Sequence, residues 1–186
     1  MADGRNILIV HSDQHRYDCV AVNGHRQLRT PAMDRLAAEG VNFTHAYTPT
    51  PICSPARASL VTGRWPTQHG CINIPGTESY HAGDPEPNLW RMLHDAGYQV
   101  GHVGKYHAEL PGNPRDHGAD DFIDLGAYPA WREARGLPPY DPMRNGWFGC
   151  IDEVPAEQSR LHWQADRTIE LIRQYHADGR PFLPRG

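Results

Sequence analysis

Short apolar runs alternate with amphipathic helical stripes along this chain. Residues 6–10 contain the continuous run Ile-Leu-Ile-Val, which predicts a strand buried on both faces of a parallel sheet. A helix is expected to begin at Thr30-Pro31, where an N-cap residue precedes a proline, and to end at Gly40. Residues 41–47 predict the next strand, so we expect a right-handed strand–helix–strand crossover.

The same alternation continues to the end of the chain. Helices are predicted at residues 56–62, 88–96 and 158–176, with terminating glycines at Gly63, Gly97 and Gly179. Further strands are predicted at residues 98–103, at residues 121–125 and from Phe182 onward. The apolar stripe of the last helix consists of Leu161, Ala165, Ile169 and Ile172. These elements predict an α/β fold, with a mostly parallel sheet flanked by helices.

Length and charge narrow the possible functions. The 186 residues suit one domain or part of one, and a formal net charge of −4 argues against generic nucleic-acid binding. No apolar run approaches the ~20 residues of a membrane span, and the first run is too short for a signal-peptide core. We therefore expect a cytoplasmic protein without membrane contact. Its cysteines are predicted to be thiols: Cys19, Cys53, Cys71 and Cys150.

Polar residues with possible metal chemistry follow the first predicted strand. Ligands of open α/β sheets gather at the carboxyl ends of strands, where Asp13 and Gln14 are expected. Their hard oxygen atoms suit Ca²⁺ or Mg²⁺ better than zinc, although an Asp-Gln pair also suits a plain turn. The histidines of the chain show no spacing that indicates a metal site.

The segment at residues 51–63, Pro-Ile-Cys-Ser-Pro-Ala-Arg-Ala-Ser-Leu-Val-Thr-Gly, contains the most informative pattern. Cys53 precedes a predicted helix, and Arg57 follows one turn later. The helix dipole and the guanidinium both favour an anion there, either a thiolate or a bound oxyanion. A structural cysteine beside a helix end is the alternative.

This segment resembles the signature of the type I sulfatases, members of the alkaline-phosphatase-like superfamily, and Arg64 continues it. The resemblance implies that Cys53 is oxidised to formylglycine by a formylglycine-generating enzyme. Residues 97–107 resemble the second family signature, which ends in Gly-Lys-x-His, and residues 6–14 resemble the strand that delivers metal ligands. Gln14 departs from the more usual pair of aspartates.

Catalytic and metal-binding residues follow from the resemblance. It implies catalytic roles for Cys53, Arg57, Lys105 and His107, and metal binding by Asp13, Gln14 and the modified residue 53. The metal would be Ca²⁺, or alternatively Mg²⁺ or Mn²⁺. Lys105 and His107 are two residues apart, so on an extended segment both side chains would face one ligand.

The implied activity is hydrolysis of a sulfate monoester on a small molecule or carbohydrate. A phosphonate or phosphate ester hydrolase of the same superfamily, and a non-catalytic truncated remnant, are the alternatives. Because the family supplies further ligands downstream, we expect residues 1–186 to be the N-terminal part of a single sulfatase catalytic domain, with a sheet incomplete at the C-terminus. Such a chain is expected to be inactive alone and to bind Ca²⁺ poorly.

Overall fold

A three-stranded parallel sheet lies at the centre of the fold. The computed structural model describes residues 4–74, 87–144 and 151–185. Its strands are β1 (Gln99–Val103), β2 (Asp121–Ile123) and β3 (Phe182–Arg185), in the order β2-β1-β3. Both neighbours pair with β1 in parallel register. The predicted α/β class and parallel sheet are therefore confirmed.

Helices occupy most of the remaining regular structure. They are α1 (Pro31–Glu39), α2 (Cys53–Thr62), α3 (Pro66–His69), α4 (Leu89–Asp95), α5 (Ala127–Glu133) and α6 (Arg160–Asp178). Local caps explain several ends. The side chains of Asn88 and Ser159 accept hydrogen bonds from the first turns of α4 and α6, while Gly63 and Gly179 end α2 and α6 in left-handed conformation.

The core has two layers because side chains alternate across the sheet. Val100 and Leu183 point to the face that helices α2 and α4 cover, where Trp90 is fully buried. Val103 and Phe182 point to the opposite face and pack against α6. The sheet is thus covered on both faces, as parallel sheets require.

The close approach of α6 to the sheet depends on a glycine in β1. A Cβ atom added at Gly101 would lie 2.9 Å from the Tyr175 hydroxyl and 3.2 Å from Leu171 Cδ1. That hydroxyl donates a hydrogen bond of 2.8 Å to Asp121 in β2. Gly101 therefore leaves room for Tyr175 of α6 to pack against β1 while its hydroxyl donates a hydrogen bond to β2.

The segment at residues 6–10 runs beside β3, but it is not the buried strand that the sequence predicts. The amides of Ile7 and Ile9 donate hydrogen bonds to the β3 carbonyls of Phe182 and Pro184, at 2.9 and 3.2 Å. The exposed fraction of Val10 is nevertheless 78%. Among the described residues β3 is the only strand beside this segment, so its apolar side chains have no layer to enter.

The predicted strand at residues 41–47 is also wrong. This segment has no strand hydrogen bonds in the structure, and Val41, Phe43 and Tyr47 are exposed. The expected crossover through α1 is consequently absent from the described part of the chain. Helix α1 itself forms as predicted, but none of its residues is buried, and Leu36 of its apolar stripe is 66% exposed.

Helix α6 forms close to its predicted bounds but buries a different face. Its buried residues are Trp163, Leu171 and Tyr175, whereas Leu161 of the predicted stripe is 75% exposed and Ile169 is also exposed. The face of α6 with Trp163 and Tyr175 is buried in preference to the aliphatic stripe, because an aromatic ring removes more apolar surface from water than an aliphatic side chain does. The aliphatic face of α6 lines an open cavity instead.

Three cysteines can be placed, and all are thiols as predicted: Cys19, Cys53 and Cys71. Cys150, like His81, lies outside the described residues. Within the described ranges, no helix is both long and apolar enough to cross a membrane.

A buried histidine in β1 gives the fold a predictable pH dependence. His102 is 1% exposed and touches the rings of Trp90, Tyr106 and Phe122. Burial, reinforced by the positive charge of Arg185, lowers the pKa of His102 from 6.5 to about 3. The unfolded chain therefore takes up a proton between those values that the folded chain does not, so acidification favours unfolding.

We expect the free energy of unfolding to fall between pH 6.5 and 5, with His102 contributing ~2 kcal/mol of that fall. Urea unfolding at both pH values measures it. His102→Gln should make the pH dependence shallower, whereas the exposed His45→Gln should not. An unchanged pH dependence in His102→Gln would contradict the assignment.

Candidate active site

Three charged side chains meet at the carboxyl ends of the strands. Asp13 follows the segment beside β3, Lys105 follows β1, and Arg57 lies in α2. Lys105 Nζ donates a hydrogen bond of 2.9 Å to Asp13 Oδ2, and Arg57 Nη2 lies 3.4 Å from Asp13 Oδ1. In sequence, Asp13 is 92 residues from Lys105 and 44 residues from Arg57, so the cluster joins three separate segments of the chain.

Arg57 connects this cluster to the backbone that presents Lys105. Its side chain is almost fully buried, and Nη1 donates a hydrogen bond of 2.7 Å to the carbonyl of Lys105. One guanidinium thus binds a carboxylate and the turn after β1 together. A guanidinium can do this because its two terminal nitrogens donate in different directions, whereas the ammonium of a lysine is a single point of contact.

The turn after β1 is shaped by Gly104. Its φ is +110°, and an added Cβ atom would lie 2.3 Å from the amide nitrogen of Gln164. That same amide lies 3.4 Å from the carbonyl of Val103. Any larger residue would therefore strain the backbone at this turn and push the Gln164 amide away from the carbonyl of Val103.

The charges in the cluster determine the protonation of Asp13. Burial acts to raise the pKa of this carboxyl group, but the hydrogen bond and charge of Lys105, together with Arg57, outweigh it. The pKa of Asp13 is therefore below its ordinary value. The cluster holds a carboxylate between two cations and leaves a positive balance.

Cys53 joins this group through helix α2. It is the first residue of the helix and is half-buried, one turn before Arg57. Its position places the sulfur beside the free N–H groups and the positive end of the helix dipole. The structure brings Asp13, Arg57 and Lys105 into direct contact, and Cys53 lies at the start of the helix that supplies Arg57.

His107 reaches the same region in an unexpected conformation. Its φ is +42°, so residues 105–107 are not the extended segment that the sequence predicts. His107 and Lys105 nevertheless line one cavity of about 520 Å³. Nε2 of His107 lies 3.7 Å from Glu109 Oε1, and burial, followed by the charge of Lys105, lowers the pKa of His107.

Backbone strain is concentrated here. Among the described residues, the non-glycine positions with positive φ are Gln14, His107 and Glu109. Such conformations cost on the order of 1–3 kcal/mol each and cluster at functional sites. Gln14 follows Asp13, His107 ends the second motif and Glu109 lies two residues beyond it, which supports a functional reading of this region.

The donor atoms suit a hard cation in kind but not in number. Asp13 and Gln14 supply oxygen ligands, the type that Ca²⁺ and Mg²⁺ prefer. The oxygens of Asp13 face Lys105 and Arg57, and no group of three or more His, Cys, Asp or Glu in the described part of the chain could hold a metal ion. Ca²⁺ takes ~6–8 oxygens, so Asp13 and Gln14 alone could not complete its coordination.

Sequence reasoning missed two residues beside the cluster. His11 and Arg185 line a cavity of about 600 Å³ together with Asp13, Arg57 and Lys105. Nη2 of Arg185 lies 3.1 Å from His11 Nδ1. His11 could have been predicted to lie near the site because it follows a predicted strand. The position of Arg185 could not, because it depends on the pairing of β3 with β1.

Comparison with known proteins identifies the family to which this chain belongs. The family model described as Sulfatase matches residues 5–183. Over 191 residues the chain is 38% identical to a relative named uncharacterized sulfatase YidJ from Escherichia coli (strain K12), covering 96% of this chain and 36% of the relative. It is also 38% identical over 200 residues to N-acetylgalactosamine-6-sulfatase from Sus scrofa, covering 96% of this chain and 38% of the relative.

A solved structure supports the fold. The crystal structure of Ps i-CgsB in complex with k-i-k-neocarrahexaose matches with a TM-score of 0.73 at 24% identity. The match covers 97% of this chain and 44% of that one. This chain therefore spans less than half the length of the proteins that it matches.

Proposed function

Since this chain belongs to the sulfatase family, we propose that the protein hydrolyses sulfate monoesters. The observation that carries the proposal is the Asp13–Arg57–Lys105 cluster at the helix whose first residue is Cys53. A sulfate monoester carries its charge on nonbridging oxygens, which a positively charged cluster stabilises. We further propose that residues 1–186 belong to one catalytic domain, because the family match spans residues 5–183.

The nucleophile in this proposal is formylglycine, made from Cys53 by a formylglycine-generating enzyme. The aldehyde is hydrated to a geminal diol. One hydroxyl gives up its proton as its oxygen attacks sulfur, and the sulfur–oxygen bond of the ester breaks, so that the alcohol takes up a proton and leaves with its own oxygen. The second hydroxyl then loses its proton and re-forms the aldehyde, which breaks the bond between that carbon and the first oxygen, and sulfate leaves with the first oxygen. Covalent catalysis of this kind divides one difficult step into two easier ones.

The surrounding side chains have separate roles in the proposal. Arg57 holds the turn that presents Lys105 and supports the residue 53 oxygen at the helix start. Lys105 stabilises a sulfate oxygen. His107 orients the diol or takes its proton, a role that its lowered pKa favours because the ring is then mostly neutral near pH 7.

We propose that Asp13, Gln14 and the modified residue 53 contribute to binding a divalent cation, Ca²⁺ or alternatively Mg²⁺ or Mn²⁺. A bound cation would supply further positive charge for the sulfate oxygens. The oxygen chemistry of Asp13 and Gln14 supports this assignment.

A sulfated carbohydrate is the proposed substrate class. The relative from Sus scrofa, 38% identical, is named for a sulfated N-acetylgalactosamine. The walls of the 600 Å³ cavity beside the cluster combine basic and aliphatic side chains, which suits a charged substituent on an organic ring.

Two readings compete with this proposal: a phosphonate or phosphate ester hydrolase, and a non-catalytic protein. Co-expression of the full-length protein with a formylglycine-generating enzyme, followed by assays on a matched pair of 4-nitrophenyl sulfate and phosphonate esters, separates them. We expect the larger kcat/KM for the sulfate ester. A preference for the phosphonate would support the first alternative, and no turnover of either ester by protein oxidised at residue 53 would support the second.

A further inference from the structure

The cavity beside the cluster contains more positive charge than one sulfate group requires. Four basic side chains line it, namely Arg57, Lys105, Arg160 and Arg185, whereas Asp13 is the one carboxylate in its lining. Arg57 and Lys105 both bind Asp13. Within the described ranges, neither Arg160 nor Arg185 has a carboxylate at ion-pair distance.

Arg185 is buried without a full set of partners. It is 2% exposed, and Nη1 has no hydrogen-bond partner among the described residues. Nη2 lies 3.1 Å from Nδ1 of His11. Burial lowers the pKa of Arg185 to about 10, which leaves its charge in place at neutral pH. A buried donor that remains unsatisfied is costly, and an anionic ligand would satisfy it.

Arg160 lies where this cavity meets another. It is the first residue of α6, and its guanidinium is 5.4 Å from the ring centre of Tyr140. It also lines the adjoining cavity of about 280 Å³, where Arg132 is already paired with Asp152. The ring holds the Arg160 guanidinium in place while leaving its N–H donors available, so its charge is directed to both cavities.

The remaining walls suit an organic molecule rather than a bare ion. Leu161, Ile169 and Val10 line the cavity between the basic side chains. Aliphatic walls with a few convergent polar groups are typical of small-molecule sites. A ligand that fits has an apolar or ring-shaped body and more than one anionic substituent.

We propose that this cavity binds a second sulfate group of the substrate, between Arg160 and Arg185, while the sulfate to be cleaved faces Lys105. The inference rests on the proposed function and narrows the substrate to a polysulfated carbohydrate. A sulfate ester has three charged or partly charged oxygens, so it can accept from two separate guanidinium groups. A planar carboxylate offers two oxygens and suits a single Arg fork better.

The test is calorimetric titration of the full-length protein with glucosamine 2-N,6-O-disulfate and with N-acetylglucosamine 6-O-sulfate, in which a neutral group replaces the second sulfate. We expect the disulfate to bind ~10-fold more tightly, the effect of one charge-assisted hydrogen bond. Arg160→Gln should reduce that ratio to below ~3 while it leaves the affinity for the monosulfate within ~2-fold. Arg173→Gln, on an exposed position of α6, is the matched control and should leave the ratio unchanged.

Because Arg185 is buried, its replacement requires a folding control. Arg185→Lys keeps a charge but loses the fork, and near-ultraviolet circular dichroism shows whether the core is intact. A folded Arg185→Lys should also show a reduced ratio. Equal affinities for the two ligands in the unaltered protein, no binding of either, or equal losses for both ligands in Arg160→Gln would overturn the proposal.

Failure of this inference differs from failure of the proposed function. Turnover of sulfate monoesters without preference for the disulfate would leave the function and remove the second sulfate site. Preferential binding of the disulfate without turnover would support the second sulfate site and contradict the proposed function.

Discussion

In the full-length protein to which residues 1–186 belong, Cys53→Ala is expected to lower the turnover of sulfate esters by ~10⁴-fold or more, because it removes the nucleophile. Cys53→Ser should do the same in a host that does not oxidise serine. The half-buried Cys19→Ala is the matched control and should retain activity. The measurement is initial-rate kinetics on a chromogenic sulfate ester after co-expression with a formylglycine-generating enzyme.

Peptide mass spectrometry on the same samples tests the modification directly. Oxidation to an aldehyde is expected at Cys53, which is the cysteine in the Cys-x-Pro-x-Arg context. Cys19, Cys71 and Cys150 should remain thiols. An unmodified thiol at position 53 in active protein, or an aldehyde at another cysteine, would show that the assignment is wrong.

In the full-length protein, Lys105→Ala is expected to lower kcat/KM for sulfate esters by ~10²-fold or more, since one preorganised charged donor contributes ~2.7–4 kcal/mol to the transition state. Its ammonium group is 2.9 Å from Asp13, so the substitution also removes a partner of that carboxylate. Lys105→Arg, which keeps a positively charged partner for Asp13, separates the two effects. An effect of less than ~3-fold for Lys105→Ala would indicate a solvated surface lysine.

The composition makes Lys105 unusually easy to test. The chain has 18 Lys and Arg residues, of which Lys105 is the only lysine. Among residues 1–186, reductive methylation of amines can therefore modify only this side chain. Because dimethylation keeps the charge but removes N–H donors that a bound sulfate would use, we expect excess sulfate ester to protect Lys105 from methylation, as followed by peptide mass spectrometry. Lys105→Arg should restore activity only in part, since a guanidinium does not replace a compact ammonium at a site built for one.

Much of the local structure was predictable. The starts of α4 and α6 follow from side-chain caps, and the ends of α2 and α6 follow from glycines in left-handed conformation. Such signals act within a few residues of the chain, so the sequence displays them directly. The motif around Cys53 is also continuous in sequence, and the family match bears out the resemblance that it carries.

Burial was predicted less well because it depends on what lies opposite a surface. The apolar segments at residues 6–10 and 41–47 have strand-like sequences, yet many of their side chains are exposed in the structure. Helix α6 contains both an aliphatic stripe and an aromatic one, and periodicity alone does not say which faces the sheet. Gly101 decides this, since it admits Tyr175 against β1.

For the candidate site, the sequence by itself determined the residue types and their positions relative to strand and helix ends. It placed Cys53 and Arg57 on one helix and Lys105 after a strand, because those relations are local. Only the tertiary structure decided that Arg57 would bind Asp13 and the Lys105 carbonyl together, and that Arg185 would lie beside His11. These contacts join segments from 44 to 174 residues apart, and strand pairing and helix packing bring them within hydrogen-bond distance.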